Sequence, residues 1–262
     1  MRRVIVSGLC GRMGMTAATA LEEAPDFELV GGADPKTDGT AVVCGRAVPV
    51  YPTLGQAIDE LAPDIVVDFT HPAVVADNIE CAMRAGVDCV VGTTGLSEER
   101  LASLAGYAAT PQTALFYAPN FTTGAVLMML FAETAARFFP EMEVIELHHC
   151  GKADAPSGTA VRTATMMAAA REGASAAPGK ETELAGFEGA RGALVCGVPV
   201  HSVRTPGHVA SQEVILGSLG QTLTIRHDSH DRASYQPGIL LACRKVGELS
   251  GLTIGLEKLM GL

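Results

Sequence analysis

Three glycines at three-residue spacing, Gly8, Gly11 and Gly14, separate the short apolar run 3–7 from the helix-forming stretch 15–24. A strand-to-helix turn built this way has separate uses for its glycines. They allow the tight turn, the close approach of a diphosphate and the packing of helix on sheet. The first N–H groups of the helix have no helical acceptor, so they face whatever sits in the turn and favour an anion. A second apolar run, 27–33, ends at Asp34, about 20 residues past Gly14. An acid at that offset can accept a hydrogen bond from a ribose hydroxyl. The opening of the chain therefore reads as a βαβ unit that binds a dinucleotide.

The same alternation continues. Segments 64–69, 88–91 and 113–118 read as strands, and 54–61, 73–85 and 97–109 as helices, the last opened by a Ser97-Glu-Glu-Arg cap. Runs such as Ile65-Val66-Val67 and Cys89-Val90-Val91 do not alternate with polar residues, as expected of strands buried on both faces. The pattern predicts an α/β, Rossmann-like, doubly wound parallel sheet. Phe69-Thr70 and Gly92-Thr93-Thr94 then end strands at its carboxyl edge, where ligands of such sheets bind, and the Gly-Thr-Thr backbone is placed along a nicotinamide or its ribose.

The pattern changes after Asn120. A long apolar helix at 123–138, a strand at 143–148 and a helix at 159–171 precede a surface loop at 173–192. Segments 198–205, 209–216 and 222–226 alternate, carry β-branched residues and are divided by Pro-Gly and Gly-Ser-Leu-Gly. They read as an antiparallel meander. The second half is therefore an α+β domain with a mixed or antiparallel sheet. A helix at 233–249 and a short tail complete the chain.

Composition narrows the partners. The formal net charge is −10, which argues against nucleic acid or an anionic membrane surface but leaves room for a small anion. Seven cysteines, an odd number with no Cys-x-x-Cys pair, suit a reducing cytoplasm. The first apolar run is too short for a signal peptide, and the run 125–132, stopped by Glu133, cannot span ~30 Å of hydrocarbon.

The densest chemistry lies in ELHHCGKADAPSGTA, residues 146–160. His148 and His149 fall where a strand ends, Lys152 follows, and Pro156-Ser157-Gly158-Thr159 opens a helix. The N–H groups of Gly158 and Thr159, with the Ser157 and Thr159 hydroxyls, form an anion cradle, and Lys152 adds a full charge. Histidine, with an unperturbed pKa of about 6.5, suits proton transfer near neutrality. Adjacent strand residues point apart, so His148-His149-Cys150 is not read as a metal site. Cys150 is read as incidental, and His201, His208, His227 and His230 as surface or packing residues.

These motifs closely resemble the 4-hydroxy-tetrahydrodipicolinate reductase (dihydrodipicolinate reductase) family. The resemblance covers GLCGRMG, DFTHP at 68–72, GTTG at 92–95, APNF at 118–121, the stretch above and LTIRHDSHDR at 223–232. It implies reduction of a cyclic, unsaturated imine dicarboxylate by NADH or NADPH, in the diaminopimelate route to lysine. His148 would be the proton donor and Lys152 its electrostatic partner. His149 would contact substrate, and Gly158-Thr159, beside Ser157, would hold a carboxylate. Gly8, Leu9, Cys10, Gly11, Arg12, Met13, Asp34, Gly92, Thr93, Thr94, Ala118, Pro119, Asn120 and Phe121 map onto the cofactor site. The resemblance also implies a dinucleotide-binding domain at 1–121 completed by 233–262. It implies a substrate-binding and tetramerisation domain at 122–232, whose sheet builds a homotetramer. Asp34 favours NADH, while Arg12 and Lys36 offset its repulsion of a 2′-phosphate. Gly151 departs from the family, which often carries a basic residue there, and Thr122-Thr123 is also less usual. Both bear on affinity and cofactor preference, not on reaction class. Two rivals explain less. A dehydrogenase of another amino acid or imine would not call for Lys152 together with the Ser-Gly-Thr cradle, and a nucleotide sensor needs no proton donor.

Overall fold

A computed structural model describes residues 1–37, 39–171 and 189–262. The chain forms two compact units, one of Met1–Thr123 with Arg232–Leu262 and one of Gly124–Asp231.

The first unit runs β1 (Arg2–Ser7), α1 (Arg12–Glu23), β2 (Phe27–Ala33), β3 (Gly39–Val43), β4 (Arg46–Tyr51), α2 (Leu54–Leu61), β5 (Ile65–Asp68), α3 (Val75–Arg84), β6 (Asp88–Val91), α4 (Glu98–Ala105) and β7 (Ala114–Tyr117). The chain's end returns to it as α7 (Gln236–Lys245) and β13 (Gly251–Ile254). One eight-stranded sheet has the order β13-β7-β6-β5-β1-β2-β4-β3. Every neighbouring pair is parallel except β3 with β4. All four residues of β5 and of β7 are buried, which is why their sequences show no polar alternation. The expected doubly wound sheet is present.

The hairpin of β3 and β4 and the edge strand β13 were not expected. Cys44 and Gly45, the two residues between β3 and β4, both have positive φ, at 49° and 82°. Two-residue hairpin turns need that conformation, and Cys at the first place hides the signal that Asn or Asp would give. Helix α7 reaches the unit through Gly238, where a Cβ would lie 1.9 Å from the Phe121 carbonyl oxygen.

The second unit holds α5 (Thr123–Ala136, whose first residue still belongs to the first unit), β8 (Glu141–His148), α6 (Gly158–Ala170), β9 (Ala193–Val195), β10 (Val198–Arg204), β11 (Ala210–Ser218) and β12 (Gln221–Ser229). Its sheet has the order β12-β11-β8-β10-β9. This corrects the expected meander. Of the three strands expected in it, β11 and β12 pair antiparallel with each other, while β10 pairs antiparallel with β9 instead of β11. β8 lies between β10 and β11, antiparallel to β11 and parallel to β10. A parallel neighbour needs a long crossover, and the segment containing α6 supplies it. The sheet is thus mixed. Most of the loop expected at 173–192 lies outside the described residues.

Candidate active site

In the first unit the strand ends place the glycine turn, Asp34 and the Gly-Thr-Thr segment along one edge. Parallel strands carry their carboxyl ends to the same side, and β2, β1, β5, β6 and β7 are consecutive neighbours. Gly8 has φ +80°, and a Cβ there would lie 2.5 Å from the Phe69 carbonyl oxygen. A Cβ on Gly14 would lie 2.0 Å from the Gly8 carbonyl oxygen. Both positions therefore exclude side chains, and the turn packs closely against the end of β5 and the start of α1. Gly11 caps α1 without a side-chain hydrogen bond. The first backbone bond of the helix runs from Met15 N–H to Gly11 C=O at 2.9 Å, so the N–H groups of Arg12, Met13 and Gly14 precede the ladder. That leaves donors and a positive dipole end for a diphosphate.

Asp34 is 5% exposed. Its carboxylate accepts from Cys10 N–H and Lys36 N–H, both at 3.0 Å, which fixes it beside the turn. Each oxygen keeps a further lone pair for a ribose hydroxyl. The side chains of Arg12 and Lys36 are exposed. These residues fit a dinucleotide.

The other expected cofactor residues divide by exposure. Thr94 and Pro119 are exposed, and Met13 and Cys10 are half-buried. Leu9, Ala118 and Phe121 are core residues. Phe121 packs edge-on against Phe69, with ring centroids 5.7 Å apart. The Asn120 side chain accepts from Thr122 N–H at 2.8 Å and shapes the exit from β7. Gly92 packs against the Phe69 ring, 2.1 Å from where its Cβ would stand. The Thr93 hydroxyl turns inward and donates to Asp68 at 2.6 Å.

The second unit gathers the histidine-rich stretch. Glu146 and His148 are two residues apart on β8 and so share a face. Glu146 is wholly buried. Its Oε2 contacts His148 Nδ1. Arg204, paired with His148 in register on β10, grips both Glu146 oxygens at 2.7 and 2.9 Å. Arg204 also donates to the Asp154 carbonyl at 2.7 Å, tying the Lys152–Asp154 loop to the sheet. Burial pushes the Glu146 carboxyl up, but hydrogen bonds from Arg204, Ser202 and His148 outweigh it and hold it below its ordinary value. Burial lowers the His148 pKa. Glu146 pulls it back up, Lys152 and Arg204 push it further down, and the net shift is downward.

Lys152 Nζ pairs with Asp154 Oδ1 at 2.7 Å, and this bond foremost lowers the Asp154 pKa. His149 is half-buried and its carbonyl accepts from Lys152 N–H at 3.1 Å. A Cβ at Gly151 would come 3.3 Å from His149 Nδ1, so glycine there leaves the imidazole uncrowded. The Ser157 hydroxyl caps α6 by accepting from Ala160 N–H at 3.2 Å, rather than facing outward. Gly158 is exposed with nothing within 4 Å of a Cβ, and Val161 N–H to Ser157 C=O at 3.0 Å is the first bond of that helix.

The sequence reading passed over Glu146 and Arg204. Strand alternation carried a signal for Glu146, which lies on the face of His148. No local pattern marked Arg204, 58 residues from Glu146. Among the described residues no group of three or more His, Cys, Asp or Glu is placed to hold a metal.

Residues 2–121 match the family model for the N-terminus of dihydrodipicolinate reductase, and residues 124–260 the model for its C-terminus. A 4-hydroxy-tetrahydrodipicolinate reductase of Mycobacterium sp. (strain KMS) is 49% identical over 261 residues, 99% of both chains. One from Listeria monocytogenes serotype 4b (strain F2365) is 48% identical over 263 residues, 98% of this chain and 99% of the relative. The dipicolinate-bound dihydrodipicolinate reductase of Paenisporosarcina sp. TG-14 has a TM-score of 0.86 at 39% identity, covering 98% of this chain and 99% of that one. An amine dehydrogenase of Mycobacterium smegmatis, at 14% identity and a TM-score of 0.65, shares the fold alone. Both halves are matched, and full-length relatives share almost half their residues with it, so the chain belongs to the dihydrodipicolinate reductase family and is an oxidoreductase.

Proposed function

We propose that this chain reduces 4-hydroxy-tetrahydrodipicolinate to tetrahydrodipicolinate with NADH or NADPH, in the diaminopimelate route to lysine. The observation that carries the chemistry is the His148–Glu146–Arg204 chain beside Lys152. Glu146 holds Nδ1, so the proton His148 can exchange with a ligand sits on Nε2. Arg204 keeps Glu146 ionised. A proton on His148 therefore makes an imidazolium stabilised by a buried carboxylate, which is the state a general acid needs.

Gly8–Met13, Asp34 and the Gly92–Thr94 and Ala118–Phe121 segments would hold the dinucleotide, which would supply a hydride to a C=C conjugated with C=N once water has left the ring. His148 Nε2 delivers the accompanying proton. Lys152 offers positive charge to the imine nitrogen or a neighbouring carboxylate, exchanging its contact with Asp154 for substrate. The N-terminus of α6, at Gly158 and Thr159, receives the other carboxylate, with Ser157 fixing the helix start. His149 lines the site. A relative at 39% identity holds dipicolinate, a ring dicarboxylate, which supports this class of ligand.

Both cofactors suit the adenosine end, because Asp34 repels a 2′-phosphate while Arg12 and Lys36 offset it. All seven cysteines are free, and no helix among the described residues is long and apolar enough to cross a membrane. The chain is assigned to the cytoplasm, working as a homotetramer on a small dicarboxylate.

The test is an assay with freshly generated substrate and each cofactor, following loss of reduced-nicotinamide absorbance. Turnover is expected with wild type. His148→Ala should lose roughly 10²–10⁴-fold in the proton-dependent step and bind NADH normally. Absence of turnover in wild type removes the reaction, and undiminished turnover in the variant removes His148 from its role.

A further inference from the structure

Asp68 stands at the carboxyl end of β5, is 2% exposed, and has no part in the proton chemistry above. Its Oδ1 accepts from the Thr70 N–H at 3.1 Å, the Thr70 hydroxyl at 2.8 Å and the Thr93 hydroxyl at 2.6 Å. Its Oδ2 accepts from the Asn78 amide at 2.8 Å. Asn78 also donates to the Ser7 hydroxyl at 3.2 Å, and Thr70 N–H is shared with Thr93 Oγ1 at 2.7 Å. One carboxylate therefore joins the end of β5, the segment after β6 and the first turns of α3, and Asn78 carries the link on to the end of β1.

Burying a carboxylate is expensive unless its oxygens are fully used. A turn at the end of β5 needs only the Thr70 bonds. The bonds to Thr93 and Asn78 do something else: the first holds the loops after β5 and β6 in register with each other, and the second ties them to α3. The sheet order shows what those loops frame. A dinucleotide with its ribose at Asp34, past β2, and its diphosphate at Gly8, past β1, continues outward over β5 and β6. There it meets Thr70 and Gly92–Thr94, the two segments that Asp68 locks together. Asp34 and the start of α1, which take the adenosine half, make none of these bonds.

We propose that Asp68 is a positioning residue for the nicotinamide end of the cofactor, acting by fastening Thr70 to Thr93 at the edge of β5 and β6. The proposal rests on the dinucleotide reading of this edge. It assigns Thr93 a task different from cofactor contact: its hydroxyl is the pin, and the backbone around it is the surface presented. Asp68→Asn opposes an amide to the Asn78 amide, and Thr93→Val removes the pin with little change of volume.

The experiment titrates the full chain, wild type and variants, with NADH and separately with ADP-ribose, which lacks nicotinamide. Melting temperature serves as the folding control, and Thr93→Ser as the conservative variant. Expected are a loss of about tenfold in NADH affinity for Asp68→Asn and Thr93→Val, the scale of one well-made hydrogen bond. ADP-ribose affinity should stay within about twofold, and Thr93→Ser should bind NADH as wild type does. If Asp68→Asn fails to fold, the Thr93 pair carries the test. Equal weakening of both ligands, or unchanged NADH affinity, overturns the positioning role. Failure of wild type to bind ADP-ribose at all would remove the dinucleotide reading itself and the proposal with it.

Discussion

At the scale of single residues, the proposed proton donor, His148, is set by groups that outnumber it. His148 feels burial and two cations pushing its pKa down, and one buried carboxylate pushing it up. A general acid works only while protonated, so activity falls as pH rises through its pKa. In free enzyme that pKa lies below the ordinary 6.5. A doubly negative substrate raises it, so kcat should persist to higher pH than kcat/KM, which reports the free enzyme. Glu146→Gln removes the one upward influence and should move the falling limb of kcat/KM to still lower pH. Full pH profiles of both parameters check this, and a limb that stays in place would separate His148 from Glu146. The same substitution leaves half-buried Arg204 with a neutral amide in place of its carboxylate, so a stability loss of about 1–3 kcal/mol is expected by denaturant titration.

At the scale of elements, two glycines in similar helix starts behave oppositely. Gly14 lies where a Cβ would meet the Gly8 carbonyl at 2.0 Å, whereas a Cβ at Gly158 meets nothing within 4 Å. Gly14→Ala must separate α1 from its turn, and overpacking of that kind costs about 1–3 kcal/mol. It should also abolish tight NADH binding, because the turn proposed to hold the diphosphate is displaced. Gly158→Ala should change stability by no more than ~0.5 kcal/mol. Calorimetry and NADH titration of the two variants check the contrast. Both glycines stand in obvious motifs, yet sequence alone does not rank them. What separates them is the distance to a backbone oxygen, which depends on how closely a helix sits on its own loop.

At the scale of the whole molecule, β12 is an edge strand of the second sheet with Leu223 37% exposed, and the next strand inward is its hairpin partner β11. An edge left open invites pairing. The proposed homotetramer predicts a solution mass of four copies of the 27.1 kDa chain, to be read by sedimentation or light scattering. A monomeric mass would refute it. Much of the molecule was legible in the sequence wherever the determining contacts are local. Unbroken apolar runs announced strands covered on both faces, and the glycine turn announced the helix after β1. Fifteen consecutive residues brought His148, Lys152 and the start of α6 together. The partners of those groups were not legible. Alternation decides which face of β8 is buried, but not that β10 and β11 flank it, so the meander was misplaced and Arg204 was missed. The β3–β4 hairpin escaped because a cysteine holds a left-handed turn position. Asp68 finds Thr93 25 residues away. Period and composition encode burial, a property of one segment at a time. Which segment meets which is decided by packing and by the pairing of buried charge, and those exist only once the chain is folded.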